Sequence, residues 1–176
     1  GVGVSAHRLA GSVAAAGAVG TLSSVDLRRH HPDLMEATGH LRVGEAAKAA
    51  INAANLVALE REIRAAGELS GGRGLLAVNV MRAVSEYAPL VRTALEAGID
   101  AVVVGAGLPL DLPELAREHP HAALVPILSD ARGIALVIKK WERKQRVPDA
   151  IIIEHPRWAG GHLGAAKIED LDDARF

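Results

Sequence analysis

Cysteine is absent from the sequence, and aromatic residues are scarce. Without cysteine, the chain can form neither disulfide bonds nor thiolate metal sites, so any cofactor must be held by other groups. Aromatic residues make up 2% of the 176 residues, whereas 49% of the residues are hydrophobic. Alanine, valine, leucine and isoleucine must therefore fill the core, which favours helices packed closely against a parallel sheet.

The sequence also lacks an excess of charge of either sign. It contains 20 basic and 21 acidic residues, for a formal net charge of −1. No basic excess is present to neutralise a phosphate backbone, so we expect no nucleic-acid partner. A signal-peptide pattern is missing, and no apolar run is long enough to cross a bilayer. These absences predict a soluble cytoplasmic protein without a membrane partner.

Five short apolar segments alternate with amphipathic or alanine-rich segments along the chain. Each apolar segment predicts a β-strand, because a strand buried on both faces is apolar throughout. The predicted strands are residues 19–24, 75–80, 101–104, 123–128 and 150–153, and the predicted helices are residues 6–16, 45–67, 82–97, 113–119 and 131–145.

The first helix and the segment after the first strand have local signals of their own. Ser5 is a candidate N-cap, because its hydroxyl can accept a hydrogen bond from an amide of the first turn. Leu9, Val13 and Ala16 follow at a spacing that predicts a core-facing helix surface. Residues 26–44 are polar and irregular, and we interpret them as an inserted loop.

Alternation of strands and helices at this spacing predicts right-handed βαβ units and a parallel sheet. An open doubly wound sheet and a closed (β/α)₈ TIM-type barrel both satisfy that pattern. A complete barrel needs about 250 residues, and this chain supplies five of its eight units. The chain begins without methionine and stops soon after a glycine-rich turn. We expect one domain over residues 1–176, belonging to a longer protein.

The loop after the last predicted strand contains the best catalytic candidate. A buried strand would deliver the sequence Ala159-Gly160-Gly161-His162 to the carboxyl edge of the sheet, where barrel enzymes have their active sites. Two glycines allow a planar ligand to lie against the backbone and to receive hydrogen bonds from its amides. His162 has a side chain suited to proton transfer near neutral pH. A tight glycine turn with a solvent-facing histidine is the alternative.

Asn79 interrupts an otherwise apolar strand near its carboxyl end. A buried carboxamide without partners would cost about 1–3 kcal/mol. A ligand edge with a donor and an acceptor, such as the pyrimidine edge of a flavin, would satisfy it. A core asparagine bonded to neighbouring backbone is the alternative.

Three further patterns are not interpreted as sites. Residues 105–109 follow a strand as a dinucleotide fingerprint does, but the third glycine is missing and prolines disturb the turn. We reject a Rossmann site there and leave open a substrate-lining loop or a plain turn. His30, His31 and His40 match no compact metal motif, so we expect a solvated loop and no metal site. The basic run at 139–144 fits the exposed end of a helix.

Several motifs occur in an order that resembles the nitronate monooxygenase family, formerly called 2-nitropropane dioxygenase, and its relatives, the flavin-dependent enoyl-acyl-carrier-protein reductases. The motifs are the small-residue helix and turn over residues 5–20, Val78-Asn79, the turn at 105–109 and the loop at 159–164. The resemblance covers nearly the whole chain. It departs from the family pattern at Ala18, which replaces a glycine, and at Glu154, which lies one residue further from His162.

The resemblance implies an FMN-containing (β/α)₈ barrel, of which this chain holds strands 2 to 6 with their helices and not the FMN-phosphate site. His162 matches the catalytic histidine that removes a proton from the carbon beside a nitro group. Asn79, Gly160 and Gly161 match positions near the flavin ring, and Ser129 stands where many relatives have a flavin contact.

The implied activity is FMN-dependent oxidation of a small nitroalkane or alkyl nitronate with O₂, with His162 as the general base. An NAD(P)H-dependent enoyl-thioester reductase is the alternative within the same fold. A non-catalytic barrel that binds a flavin or another metabolite is the alternative from a different class. We expect a small-molecule substrate and O₂ as partners, and the apolar helices leave room for a homodimer.

Overall fold

The computed structural model of the chain describes residues 4–42 and 44–155. Five parallel strands in this part form one sheet wall. The strands are β1 (Val19–Ser23), β2 (Leu75–Met81), β3 (Ala101–Gly105), β4 (Ala123–Leu128) and β5 (Ile152–Ile153). The helices are α1 (His7–Ala15), a 3-10 helix (Leu27–His30), α2 (Pro32–Thr38), α3 (Glu45–Ser70), α4 (Tyr87–Glu96), α5 (Leu112–Leu115) and α6 (Ala131–Glu142).

The order of the strands decides between the two architectures left open by the sequence. Each strand pairs with the next one along the chain, in the order β1-β2-β3-β4-β5, and every pair is parallel. A doubly wound sheet reverses its strand order at a switch point, and no reversal occurs among the described strands. The consecutive order is that of a barrel wall, so the predicted partial (β/α)₈ barrel is confirmed.

The two faces of the wall have different packing. Leu22, Val78 and Val102 point outward and are fully buried against the helices. The inward face has a smaller apolar cluster around Ala77 and Val103 on the middle strands. Towards β1 the inward face is open within the described residues, where Val19 and Leu75 are each 53% exposed.

Helix α1 packs with its backbone almost in contact with the sheet. A Cβ atom on Gly20 would overlap the carbonyl oxygen of Ala10, so only glycine fits there. The buried face of α1 consists of small residues, Ala10, Gly11 and Ala14. The predicted core-facing surface is therefore wrong: Leu9 is 48% exposed, because the close approach leaves no room for a leucine side chain.

Several predicted boundaries also need correction. Ser5 is not the N-cap of α1, which begins at His7 after Ala6 and has no side-chain cap from that position. Residues 82–86 form turns rather than the start of a helix, and α4 begins at Tyr87. Helix α3 continues through Gly67 to Ser70, because Gly71 adopts the left-handed conformation (φ 58°) that ends it.

We predict that Gly20→Ala will destabilise the fold, because the new methyl group must displace the backbone of α1. Overpacking of this kind costs about 1–3 kcal/mol. Gly67→Ala is the matched control: no atom lies within 4 Å of a Cβ there, and the residue lies inside α3. It should raise the free energy of unfolding by about 0.5–1 kcal/mol through helix propensity. Urea unfolding of both variants measures this, and an unchanged midpoint for Gly20→Ala would contradict the close packing.

Candidate functional site at the carboxyl ends of β1 and β2

A cavity of about 280 Å³ opens at the carboxyl ends of β1 and β2. Its polar wall comes from Ser5 before α1, from Ser23 and Ser24 at the end of β1, and from Asn79 on β2. Met81 contributes an apolar surface. None of these five side chains is charged, so the cavity offers neutral hydrogen-bonding groups to a ligand. It lies at the edge of the sheet where barrel enzymes have their active sites.

Asn79 and Ser23 are cross-strand neighbours on the inward face of the wall. They are aligned in the β1–β2 ladder, and Asn79 is paired with Val103 in the next ladder. Asn79 is exposed within the described part of the chain and lines the cavity, so its role stays a prediction. Its carboxamide presents a donor and an acceptor at the cavity wall.

Ser24 is a polar residue that the sequence analysis did not single out. It is 1% exposed, and its hydroxyl has no hydrogen-bond partner among the described residues. It lies between the 280 Å³ cavity and a smaller one of about 60 Å³ that Asn55 and Glu86 also line. A buried hydroxyl without a partner is costly, so Ser24 is a candidate ligand contact that only the structure reveals.

Ser129 follows β4 and lies apart from this cavity. Its hydroxyl is buried and has no partner among the described residues. Ladder pairing places Asn79 level with Val103 and Val103 level with Val125, so Ser129 is two strands across and four residues further along. That offset corresponds to about 10 Å across the sheet and about 13 Å along it. Ser129 and Asn79 therefore contribute to different parts of the same sheet edge.

The other three predicted site residues, Gly160, Gly161 and His162, lie outside the described residues. The described chain leads towards them through β5, whose Ile153 is paired with Leu128 of β4. Their proposed roles therefore stay predictions.

The buried carboxylate of Glu62 binds the first residue of α1, next to the cavity. Glu62 on α3 is 1% exposed, and its Oε2 accepts hydrogen bonds from the His7 amide at 2.6 Å and from the His7 ring at 2.8 Å. Because His7 is the first residue of α1, Glu62 acts as the helix cap that Ser5 was predicted to provide. Its negative charge also complements the positive end of the helix dipole.

His31 brings the segment after β1 to the same carboxylate. Its Nε2 lies 3.1 Å from Glu62 Oε1 in an ion-pair contact, although the atoms are not aligned for a hydrogen bond. Burial alone would raise the pKa of Glu62, but the hydrogen bonds from the His7 amide and ring, with the charges of His7 and His31, outweigh it. The pKa of Glu62 is therefore held below its ordinary value.

Within residues 26–42, a 3-10 helix (Leu27–His30) and α2 (Pro32–Thr38) pack against α3, which corrects the interpretation of a solvated irregular loop. Arg28 is 8% exposed and donates to Thr38 Oγ1 at 3.1 Å, and its amide donates to Asn55 Oδ1 on α3 at 3.2 Å. The expectation that the histidines form no metal site stays a prediction. In residues 4–42 and 44–155, no cluster of three or more potential metal ligands occurs.

The turn after β3 lies at the same sheet edge. Ala106 and Gly107 have positive φ angles of 56° and 133°, and the next helix begins only at Leu112. A dinucleotide fingerprint needs the helix to begin at once, so the geometry agrees with the rejection of a Rossmann site. Arg82 lies beside this turn, with its guanidinium carbon 4.6 Å from the centre of the Tyr87 ring.

Comparison with known protein families identifies the family of this chain. The sequence model of the nitronate monooxygenase family matches residues 1–175. The chain belongs to the nitronate monooxygenase family. No curated protein sequence matched the chain significantly.

Solved structures support the fold. FabK from Thermotoga maritima is similar with a TM-score of 0.62 and 19% identity over 94% of this chain and 41% of that chain. A point variant of the same FabK gives a TM-score of 0.60 and 20% identity over 91% of this chain and 42% of that chain. The chain thus spans about two fifths of the length of the FabK structures.

Among the described helices, none has the length and apolar character needed to cross a membrane.

We predict that Glu62→Gln will destabilise the protein in a pH-dependent way. The folded pKa of Glu62 is lower than its ordinary value of 4.5, so ionisation stabilises the fold above that pH, and this contribution is lost as the pH falls through the folded pKa. At pH 7 the variant should lose about 1.5–3 kcal/mol, as expected for hydrogen bonds to a charged group. The difference from the parent should shrink in acid.

Glu60→Gln is the control, because Glu60 lies on the same helix in an exposed pair with Arg64. An exposed i, i+4 pair contributes about 0.3–0.5 kcal/mol. Denaturant unfolding at several pH values compares the two variants. Equal small losses, or a Glu62→Gln loss that grows as the pH falls, would contradict the assigned role.

Proposed function

We propose that the chain is part of a flavin-dependent oxidoreductase that uses FMN and O₂ to oxidise a small nitroalkane or alkyl nitronate. The observation that carries the proposal is the match to the nitronate monooxygenase family over residues 1–175. The neutral, hydroxyl- and amide-lined cavity at the carboxyl ends of β1 and β2 supports it, because that edge is the catalytic edge of barrel enzymes.

The described residues at this edge fit an FMN ring. Asn79 is exposed at the cavity, and its carboxamide matches a heterocycle edge that both donates and accepts hydrogen bonds. The unpartnered hydroxyl of Ser129 is a further donor at the same edge. Gly160 and Gly161 would leave space for the flat ring and offer their amides. When bound, FMN would supply the two-electron oxidation chemistry that these side chains lack.

His162 is the proposed general base. It would accept the proton from the carbon atom beside the nitro group, which converts a neutral nitroalkane into its nitronate anion. General-base catalysis of this kind contributes about 10²–10⁴-fold to a rate. A neutral cavity wall also avoids a fixed negative charge near the forming anion: Ser5, Ser23 and Ser24 are uncharged.

Asn79→Ala should weaken FMN binding without changing the fold. Loss of one neutral hydrogen bond costs about 0.5–1.5 kcal/mol, so the dissociation constant should rise roughly threefold to tenfold. Leu75→Val is the control, since Leu75 is on the same face of β2 but at its amino end. Fluorescence titration with FMN gives both affinities. The same FMN affinity in Asn79→Ala as in the parent would remove Asn79 from the flavin site.

His162→Asn separates proton removal from the later oxidation. The variant should lose about 10²–10⁴-fold in rate on a neutral nitroalkane and keep most of its activity on the pre-formed nitronate, which has no proton to remove. His121→Asn, at an exposed histidine near the amino end of β4, is the control and should behave as the parent. Equal losses on the two substrates would contradict a general-base role.

The reductase alternative has a separate test. Under anaerobic conditions a nitroalkane should bleach the bound flavin of the proposed oxygenase without any nicotinamide cofactor. Rapid bleaching by NADPH, together with inertness towards nitroalkanes, would contradict the proposal and favour the enoyl-thioester reductase.

A further inference from the structure

A second, larger cleft lies at the amino ends of the strands, on the opposite edge of the sheet from the candidate site. Its volume is about 490 Å³, and it lies between α5 and the chain that follows α6. Leu124, at the start of β4, forms part of its floor with Pro113 and Ala116. The volume is within the range of about 300–1,000 Å³ typical of small-molecule sites.

The charge of this cleft differs from that of the whole chain. Four cationic side chains line it, with Glu114 as the one acidic residue among the lining side chains, whereas the chain as a whole has a net charge of −1. The cationic side chains are Arg117, Arg143, Lys144 and Arg146. The side chains that line the cleft therefore carry a net positive charge.

Two of the cations are held in place by structural bonds. Lys144 Nζ lies 2.5 Å from Glu114 Oε1 and also donates to the carbonyl of Leu110. Arg146 donates to the Ala122 carbonyl at 2.9 Å and to Asp149 Oδ2 at 2.8 Å. These bonds connect the chain after α6 to α5 and to the start of β4, so the walls of the cleft are fixed before any ligand arrives.

The other two cations have no such role. Arg117 and Arg143 are exposed and form no ion pair within residues 4–42 and 44–155. The helix dipole accounts for Lys139 and Lys140 in the last turn of α6. It does not account for Arg117, which comes from a different element and lines the same cleft.

We propose that this cleft binds a small molecule carrying two or more adjacent negative groups, such as a diphosphate. Guanidinium groups pair with phosphate oxygens through two parallel hydrogen bonds, which favours arginine at such sites. Arg117 and Arg143 supply these unpaired guanidinium groups, whereas Lys144 and Arg146 are held in ion pairs and form the fixed walls. The apolar floor at Leu124 suits an organic portion attached to the phosphates. The site is separate from the flavin edge and does not depend on the proposed oxidation.

Isothermal titration with pyrophosphate tests the proposal on the purified protein. We expect saturable binding of one pyrophosphate per chain that weakens as salt is added. In Arg117→Gln/Arg143→Gln, the affinity should fall about tenfold or more, because charge-assisted hydrogen bonds are lost. Lys139→Gln/Lys140→Gln is the matched control: it removes the same charge from exposed positions of α6 that do not line the cleft. Its affinity should stay within about twofold of the parent, since such charges act only through screened long-range attraction.

Prior saturation with FMN distinguishes this cleft from a flavin-phosphate site. Pyrophosphate binding should be unchanged by FMN if it occurs at the amino edge. Absence of saturable binding, equal losses in the two double variants, or displacement of pyrophosphate by FMN would each overturn the proposal. The exposed arginines can be replaced without disturbing the core, and thermal unfolding without ligand checks that both variants are folded.

Discussion

The buried carboxylate of Glu62 connects three segments on which the candidate site depends. It caps α1 through the His7 amide, contacts His31 in the segment after β1, and belongs to α3 itself. Ser5 lies just before α1, and Ser24 lies just before the segment that contains His31; both residues line the cavity. Removal or protonation of Glu62 would therefore loosen the segments that carry Ser5 and Ser24. Glu62 itself does not line the cavity.

Backbone packing supports this arrangement from the other side of α1. The small residues of its buried face allow the helix to lie against Gly20 of β1 and Gly74 before β2. This close approach fixes the distance between α1 and the strands, and therefore the position of Ser5 just before α1. The Ser5 carbonyl accepts a hydrogen bond from the Ser23 amide at 2.8 Å. The polar cavity is thus held by a rigid helix–strand contact and by one buried ionic contact.

Strand positions could be predicted from the sequence because each strand is a short apolar run. The predicted bounds of the strands that begin at Val19, Leu75 and Ala101 agree with the structure to within a residue or two. The choice of a barrel needed the strand order, since βαβ alternation is common to open and closed sheets. The face of α1 was predicted wrongly, because periodicity favours large apolar residues and cannot register a contact between backbones. The capping of α1 by Glu62 could not be predicted from the sequence either, because His7 and Glu62 are 55 positions apart.

At the candidate site, Asn79 could be found from the sequence because a carboxamide in an apolar strand is conspicuous. The exposure of Asn79 could not be predicted, because it depends on which face of the sheet Asn79 occupies. Ser24 was missed because serine after a strand is ordinary turn chemistry, and only burial without a partner distinguishes it.

The central claim is that the carboxyl edge of this wall belongs to a flavin site. The visible absorption spectrum of the purified protein, before and after addition of FMN, tests it most directly. We predict the blue-region absorption of oxidised flavin in the protein as isolated, or its appearance with a protein-bound band shape after reconstitution. A colourless protein whose added FMN keeps the spectrum of free FMN would contradict the account.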